Sequence, residues 1–430
     1  MGIFETLGKA WKVPDIRRKM IFTLLMIVVF RLGSNIPIPG INRDILNQAF
    51  DGSGLFEIFN LFSGGAFQQF TIFALSITPY ITASIILNLL TIAIPYLENL
   101  SREGSEGKKK IAQITRYLTV ILAFLQAIGL TVGLFRQAIV TNPDGSTNFF
   151  TVVVVVITLT AGTAFLMWLG EQINEYGIGN GISLIIFAGI ICSAPGAIGT
   201  AISNLQEGTV SLISLILFAI FALAVVVGTI MVQQGQRRIP VQYAKRVVGR
   251  KMYGGQNTHI PIKVNQAGVI PVIFAMSLLQ FPLTITYFTS ADGGVAQFIN
   301  KWLSPNGDPG VWVYVAFNIL LIIFFTYFYT AVTFNVVEVS DNMRANGGFI
   351  PGIRAGRTTT EYLNRVMTRI TFVGAIFLAL ISTMPTLIQQ FTSLQIRFGG
   401  TALLIAVGVA LDLMKQIESQ MVMRNYKGFL

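Results

Sequence analysis

The chain has 430 residues, of which 53% are hydrophobic and only 11% are charged, and its mean hydropathy is +0.67. Soluble globular proteins have roughly a quarter of charged residues, so this composition excludes a surface that faces water everywhere and predicts an integral membrane protein. The 30 basic and 19 acidic residues give a net charge of +11, which would suit nucleic acid, anionic lipid or acidic partners.

Ten segments are long and apolar enough to be membrane-spanning helices, since a helix needs about 20 apolar residues to cross the hydrocarbon core. In chain order, the predicted spans one to ten cover residues 20–37, 70–94, 114–140, 150–170, 181–202, 210–233, 267–289, 311–336, 370–391 and 400–417. An even number of spans returns both termini to the same side. Spans one to five and six to ten would then have opposite orientations, which permits two inverted halves, as in transporters and channels.

These spans divide the chain into four parts. The parts are an amphipathic amino-terminal segment (1–19), a first half (20–202), a second half with two long loops (203–418, loops 234–266 and 337–369) and a tail (419–430). The amino-terminal segment is basic, which favours an interfacial helix on anionic lipid. Met1-Gly2 with Thr6 also fits an acylation pattern, but this interpretation is the weaker one.

The Lys and Arg residues are concentrated on one face of the predicted membrane protein. Of the 30, 25 lie in the amino terminus, in the loops after spans two, six and eight with their flanks, or in the tail; four lie on the other face. The positive-inside rule therefore predicts that this basic face and both termini are cytoplasmic. The loop after span six carries seven of these charges and no acid, which is more than topology alone requires.

Between spans one and two, residues 55–69 (LFEIFNLFSGGAFQQ) are apolar but too few to span. One interpretation is an interfacial or re-entrant helix on the face opposite the basic one. The other is a mobile half-helix that fills a cavity, because irregular backbone at membrane depth survives only inside protein or beside water.

Two pairs of isoleucines stand four residues apart, and each pair therefore lies on one face of its span. They are Ile81 and Ile85 in span two, and Ile182 and Ile186 in span five. Packing or lipid contact is the default explanation in a membrane helix. A ring of such side chains around a pore would instead form a hydrophobic constriction that resists water and ions.

Catalytic and ion-coupling residues are scarce in the spans. Arg31 is the only ionisable residue well inside a span, whereas a proton- or sodium-coupled carrier would need buried carboxylates. One histidine and one cysteine, His259 and Cys192, exclude a histidine-based metal cluster and a disulfide framework within the chain. Phosphate-binding, zinc-protease and nucleophile-elbow motifs are absent from the sequence, and this pattern predicts a non-enzyme without a cofactor.

Seven stretches, in order along the whole chain, resemble the SecY family, whose members form the channel of the bacterial protein translocase. They are FSGGAF (62–67), TPYITASIILNLL (78–90), FLMWLGEQINEYGIGNGISLIIFAGI (165–190), GQRRIPVQYAKR (235–246), THIPIKVNQAGVIPVIFA (258–275), FIPGIRAGRTT (349–359) and FGGTALLI (398–405). The resemblance implies an all-α membrane protein of about ten spans, in two five-helix inverted halves around a central pore.

The resemblance also assigns a pore ring and a plug. The ring of six aliphatic side chains falls on Ile81, Ile85, Ile182, Ile186, Ile273 and Ile405. The plug, which rests against the ring, falls on residues 54–68, with Leu55, Phe56, Ile58, Phe59, Phe62, Ser63, Gly64 and Gly65 as its main members. A lateral gate is implied between spans two/three and seven/eight. Asn88, Gln126 and Ser277 are its polar candidates, although ordinary interhelical hydrogen bonding explains them equally well.

In the family the two long basic loops dock the ribosome or the motor SecA. The corresponding residues here are Arg237, Arg238, Lys245, Arg246, Arg250 and Lys251 in the first loop, and Arg344, Arg354 and Arg357 in the second. Ala355 replaces a proline found in many members, which implies a slightly less rigid loop.

The resemblance finally implies partners and a function. The implied partners are SecE and SecG, SecA, the ribosome with its RNA, signal peptides and nascent polypeptides, and membrane lipid. The expected function is a passive protein-conducting channel in the bacterial cytoplasmic membrane, driven by SecA or the ribosome. A small-solute secondary transporter, suggested by the number of spans and the possible inverted repeat, is the alternative.

Overall fold

The structure is a computed structural model of the chain. It describes residues 3–41, 60, 63–134, 149–208, 211–243, 246–248, 251–253, 257–286, 293–303, 310–391 and 400–425. Within these residues helices dominate, and each of the ten predicted spans overlaps one of them. The prediction of a mainly helical protein is therefore confirmed.

The first half consists of helices, with short ones at the amino terminus and after the second span. They are α1 (Ile3–Lys12), α2 (Pro14–Gly33), α3 (Thr78–Ala93), α4 (Pro95–Arg102), α5 (Ser105–Ile128), α6 (Phe149–Tyr176) and α7 (Gly181–Gln206), with a π-helical turn at Gly129–Leu134 after α5. Polar side chains and prolines define several starts. Asn180 accepts a hydrogen bond from the Ser183 amide at 3.2 Å and so caps α7, and Pro79 occupies the first turn of α3.

The second half alternates helices with short strands. Its helices are α8 (Leu212–Gln234), α9 (Ile270–Thr286), α10 (Gly294–Trp302), α11 (Val311–Thr333), α12 (Val336–Ala345), α13 (Arg357–Phe391) and α14 (Gly400–Asn425). Its strands are β1 (Gln236–Tyr243), β2 (Arg246–Val248), β3 (Lys251–Tyr253), β4 (Asn257–Lys263) and β5 (Gly348–Phe349).

Among the described residues, six helices are long and apolar enough to cross a membrane, and a seventh is added if α3 and α4 count as one bent span. The bend between α3 and α4 is 103° and falls at Ile94, directly before Pro95. The helix α9, with 17 residues, is shorter than a full span. The chain is thus a multi-pass membrane protein, and the total of ten spans remains a prediction.

The start of the second span differs from the prediction. Helix α3 begins at Thr78, whereas the sequence pattern predicts a span from residue 70. Residues 63–77, called the turn segment below, form consecutive turns, with positive φ angles at Phe70 (46°) and Ser76 (52°) that no α-helix accommodates. Most of this segment is buried, in agreement with the rule that irregular backbone at membrane depth must lie inside protein.

The core of the protein is one large hydrophobic cluster shared by both halves. It receives buried side chains from α3, α6 and α7 of the first half and from α9, α11, α13 and α14 of the second. Helix α3 packs against α9, and α7 packs against α14, so the halves meet along these two pairs. This arrangement brings parts of four helices together at the centre of the molecule.

The two long loops of the second half form a small sheet that the helical prediction does not include. Strand β1 pairs antiparallel with β4, and Tyr243 of β1 also pairs with Gly348 of β5. A separate hydrophobic cluster lies beneath this sheet, with Ile239 and Ile262 from the first loop and Met343 and Ile350 from the second. The two basic loops are therefore one structural unit, called the basic sheet below.

Candidate functional site

The six isoleucines assigned to the ring all belong to the central cluster or pack against it. Ile81 and Ile85 come from α3, Ile186 from α7, Ile273 from α9 and Ile405 from α14, and all five are at most 7% exposed. Ile182 is half-buried and packs at the edge of the same cluster. Four separate helices thus contribute isoleucines to the same cluster, which spacing within a single helix could not reveal.

The isoleucines lie among other buried hydrophobic side chains of the cluster. A contact at the edge of the cluster shows why small residues are needed nearby. A Cβ atom on Gly170 of α6 would lie 2.7 Å from the Cδ1 atom of Ile182, so the glycine provides the space that the isoleucine occupies. The isoleucines themselves present soft, apolar surfaces and offer a passing molecule no hydrogen bond.

The turn segment reaches this cluster from the end of the spans opposite the basic face. Ala66 is fully buried and belongs to the same cluster as the isoleucines. Pro37, which follows α2, is bridged to Thr71, so the segment lies at the level where the first span ends. Within the segment, the Phe67 amide donates to Ser63 Oγ at 3.0 Å; the Gln68 amide donates to Oδ1 of Asn60, just before the segment, at 3.1 Å.

On the basic side of the isoleucines lies a cavity of about 400 Å³. Its walls include Asn180 and Ser183 at the start of α7, Ile270 at the start of α9, and Asp412 and Lys415 of α14. These three helices also carry four of the six isoleucines.

A second cavity of about 230 Å³ shares several of these walls, including Lys263 and Lys415. Two of its lining atoms, Asn265 Oδ1 and Gln266 Oε1, are buried and have no hydrogen-bond partner among the described residues. Unpaired buried oxygens need water or a donor. The interior is therefore polar on the basic side and apolar at the isoleucines.

Comparison with known proteins agrees with this geometry. The family model described as SecY matches residues 71–414. The chain belongs to the SecY family. The protein translocase subunit SecY of Halalkalibacterium halodurans is 48% identical over the full length of both chains, and that of Bacillus subtilis is 46% identical over the full length of both. The Streptomyces coelicolor subunit is 50% identical, covering 98% of this chain and 99% of its own.

Solved structures agree on the fold. A structure of a protein-conducting channel superposes with a TM-score of 0.66 at 21% identity and covers 94% of this chain and 93% of its own. Sec61 from a canine ribosome-channel complex superposes with a TM-score of 0.62 at 19% identity and covers 97% of both chains. The resemblance inferred from the seven sequence stretches is confirmed.

The structure describes only some of the residues that the SecY resemblance assigns to the plug. Leu55, Phe56, Ile58, Phe59 and Phe62 lie outside the described residues. Ser63, Gly64 and Gly65 begin the turn segment, and both glycines have positive φ angles, 63° and 90°. The described part of the plug therefore consists of turns next to the isoleucine cluster.

The three gate candidates lie on α3, α5 and α9, of which α3 and α9 pack against each other across the boundary between the halves and α5 packs against α3. Asn88 of α3 and Gln126 of α5 are half-buried, and Ser277 of α9 is 6% exposed. No hydrogen bond joins any two of them in the described part of the chain. Sequence reasoning missed Gln280, which lies one turn beyond Ser277 and has a buried Nε2 atom without a partner among the described residues. The sequence signal that could have identified Gln280 is its polar side chain within an apolar span.

The docking candidates lie on the basic sheet and its flanks. Arg237 and Arg238 are exposed on β1, and Arg344, Arg354 and Arg357 are exposed around the second loop. Arg246 and Lys251 belong to the β2–β3 hairpin, where their strand partners are Tyr253 and Val248. Lys245 and Arg250 lie outside the described residues.

The backbone around Arg354 is held in place by its neighbours. Its carbonyl oxygen accepts a hydrogen bond from Thr359 Oγ1 at 2.8 Å. Gly352 and Gly356, two residues to either side, have φ angles of 81° and 104° that only glycine adopts easily. These contacts fix the loop despite Ala355, so the exposed arginine projects from a defined turn.

Proposed function

We propose that this chain is a passive protein-conducting channel. It lets secretory polypeptides cross the membrane and releases hydrophobic segments sideways into lipid, while SecA or the ribosome supplies the energy. The observation that carries this proposal is the presence of six isoleucines from four helices in or against one hydrophobic cluster, with a polar cavity on the basic side.

The isoleucines suit a conduit for chains of any sequence. A translocating polypeptide presents every type of side chain in turn, so a constriction built on specific hydrogen bonds would favour some residues and retain others. Aliphatic side chains can close around each residue and still repel water and ions. We propose that Ile81, Ile85, Ile182, Ile186, Ile273 and Ile405 form this gasket, and that the polar cavity is the vestibule through which the chain enters.

We propose that residues 54–68 are the plug of the resting channel. Residues 60 and 63–68, the described part of this stretch, hold their own shape through local bonds, such as those from the Phe67 amide to Ser63 Oγ and from the Gln68 amide to Asn60 Oδ1, so we propose that they move as a unit. Lateral release would require α3 and α9 to separate. These helices are in contact here, with Asn88 and Ser277 on them and Gln126 on the adjoining α5.

The basic sheet is the proposed docking surface for the driving machine. Its arginines and lysines would meet phosphates of ribosomal RNA in a salt-sensitive interaction, or acidic protein surfaces of SecA. SecE and SecG are the proposed small membrane partners. The excess of positive charge supports a cytoplasmic location for this face and for both termini.

Reconstitution tests the function directly. The full-length chain with SecE and SecG in sealed vesicles, supplied with SecA and ATP, is expected to import a secretory precursor and protect it from added protease. Uptake of a small solute by the chain alone, without precursor import, would favour the secondary-transporter alternative. The relatives described above are translocase subunits or protein-conducting channels, so they give that alternative no support.

A further inference from the structure

Arg31, the one ionisable residue that the sequence places well inside a predicted span, makes a contact with the turn segment. It lies in the last turn of α2 and is half-buried, and its Nη1 atom donates to the carbonyl oxygen of Gly64 at 2.8 Å. An arginine at membrane depth is costly unless it has partners, and such residues are usually functional. Among the described residues, no carboxylate forms an ion pair with it, so its partner here is the turn segment.

Gly64 is held on its other side by span five. A Cβ atom on Gly64 would lie 2.8 Å from the Cα atom of Gly189 in α7, so the two backbones approach as closely as glycine allows. The φ angle of 63° at Gly64 also favours glycine. Gly64 is thus clamped between the Arg31 guanidinium and the backbone of a helix that supplies two ring isoleucines.

The remaining bonds of this region are mostly internal. Gly65 N donates to Asn60 O at 3.0 Å, and Ala66 N donates to Ser63 O at 3.3 Å, so this part of the segment holds its own shape. The other attachments lie farther along, where Ile38 N donates to Phe70 O and Ile72 N donates to Ile36 O. The Arg31 bond therefore ties the start of the segment to another span with a charged donor, and charge-assisted bonds are stronger than neutral ones.

We propose that Arg31 is the latch of the closed channel. Its bond to Gly64 holds the start of the turn segment against α7, next to the isoleucines, and this bond must break before the segment can move away. The inference rests on the proposed plug function, because Gly64 belongs to the proposed plug, residues 54–68, and a latch matters only if that plug closes the conduit. A single arginine is suited to this task, since it can exchange one carbonyl acceptor for water or for another carbonyl when the segment leaves.

The latch is tested by amide hydrogen exchange of the full-length chain in lipid nanodiscs. In Arg31→Met, exchange in residues 63–72 is expected to accelerate about 10- to 100-fold, as expected for the removal of one hydrogen bond to a charged group. Arg31→Lys, which keeps a charged donor, is expected to restore much of the protection. Asn35→Ala is the matched control, because the Asn35 side chain, just after the end of α2, donates its Nδ2 to Arg31 O at 2.8 Å and not to the turn segment.

Unchanged exchange in Arg31→Met, or acceleration that extends equally to the α6 peptides, would overturn the latch. Gly64→Ala provides a second variant, since it displaces the carbonyl while leaving Arg31 intact, and it is expected to accelerate exchange in the same residues. Ion conductance of the same variants in planar bilayers separates the two proposals. Faster exchange with a rise in conductance supports both, whereas faster exchange with unchanged conductance keeps the attachment of the segment by Arg31 and contradicts its sealing role.

Discussion

The isoleucine cluster and the basic sheet differ in burial, in charge and in the kind of contact that they can make. The cluster is buried, contains hydrophobic side chains from several helices and offers no directional bond at the isoleucines. The basic sheet is exposed, carries charges on short strands and a turn fixed by glycines, and offers directional contacts. The difference indicates that sealing and recognition are separated: the part that meets every substrate avoids specificity, and the part that meets a few partners supplies it.

The largest expected effect comes from making the cluster polar. Replacing Ile81, Ile85, Ile182 and Ile186 together with serine is expected to raise the resting ion conductance of reconstituted channels by roughly an order of magnitude or more, because hydroxyl groups admit water to the constriction. Single-channel recordings in planar bilayers measure it.

The same two helices provide a matched control. Ile92 of α3 and Ile191, Ile198 and Ile202 of α7 are 48–61% exposed and lie away from the cluster. Their replacement with serine changes hydrophobicity equally but is expected to leave conductance near the wild-type value. Equal conductance in the two quadruple variants would show that the isoleucines are ordinary packing residues.

The next largest effect is expected from a charge reversal on the second basic loop, and it should appear in transport. Arg354→Glu is expected to reduce SecA- or ribosome-linked transport roughly tenfold, about the free energy of reversing one exposed interface charge, while resting conductance stays unchanged. Precursor import into vesicles measures it. Arg365→Glu on α13 is the control, since this arginine is also exposed but lies beyond the fixed turn. Normal import by Arg354→Glu would remove the second loop from the docking surface.

The comparison also predicts that the basic sheet responds as one unit. Ile239 of β1 is 2% exposed and belongs to the cluster that joins both loops. Ile239→Ala is expected to cost the sheet about 2–4 kcal/mol and to accelerate amide exchange in β4 and β5 together. Gln242→Ala, an exposed position on the same strand, is the control. Acceleration confined to one loop would show that the loops are independent.

Hydropathy predicted the helical spans because a chain that crosses lipid must pair its backbone N–H and C=O groups internally, and a helix does so within one segment. It failed at residues 70–77, where the backbone turns are buried in protein and an apolar sequence no longer implies a helix. It also missed the basic sheet, although Ile239 and Val241 alternate with exposed residues as in a half-buried strand. The pairing of β1 with β5 joins residues about 100 positions apart, and no local pattern encodes it.

The candidate site was predictable only in part, because it too depends on contacts between distant parts of the chain. Spacing placed Ile81 with Ile85 and Ile182 with Ile186 on common helix faces, but it could not relate α3 to α7 or add Ile273 and Ile405. Family resemblance supplied the six positions, and the structure places them in one cluster. Neither spacing nor family resemblance predicted the Arg31 contact with Gly64, because it joins a side chain to a backbone atom 33 residues away.

The smallest expected effect concerns the kind of partner that the basic sheet meets. Removing one contact with a phosphate is expected to lower the slope of log affinity against log salt by about one. Arg237→Gln with Arg238→Gln should therefore lower this slope by about two for ribosome binding if both side chains meet RNA. Fluorescence titration of ribosomes against the channel in nanodiscs at several salt concentrations measures it.

An unchanged slope with weaker SecA binding would assign these arginines to protein contacts, and unchanged affinity for both partners would exclude β1 from the docking surface. Resting conductance should not change in any of these cases, since the two arginines lie on the basic sheet and not in the isoleucine cluster.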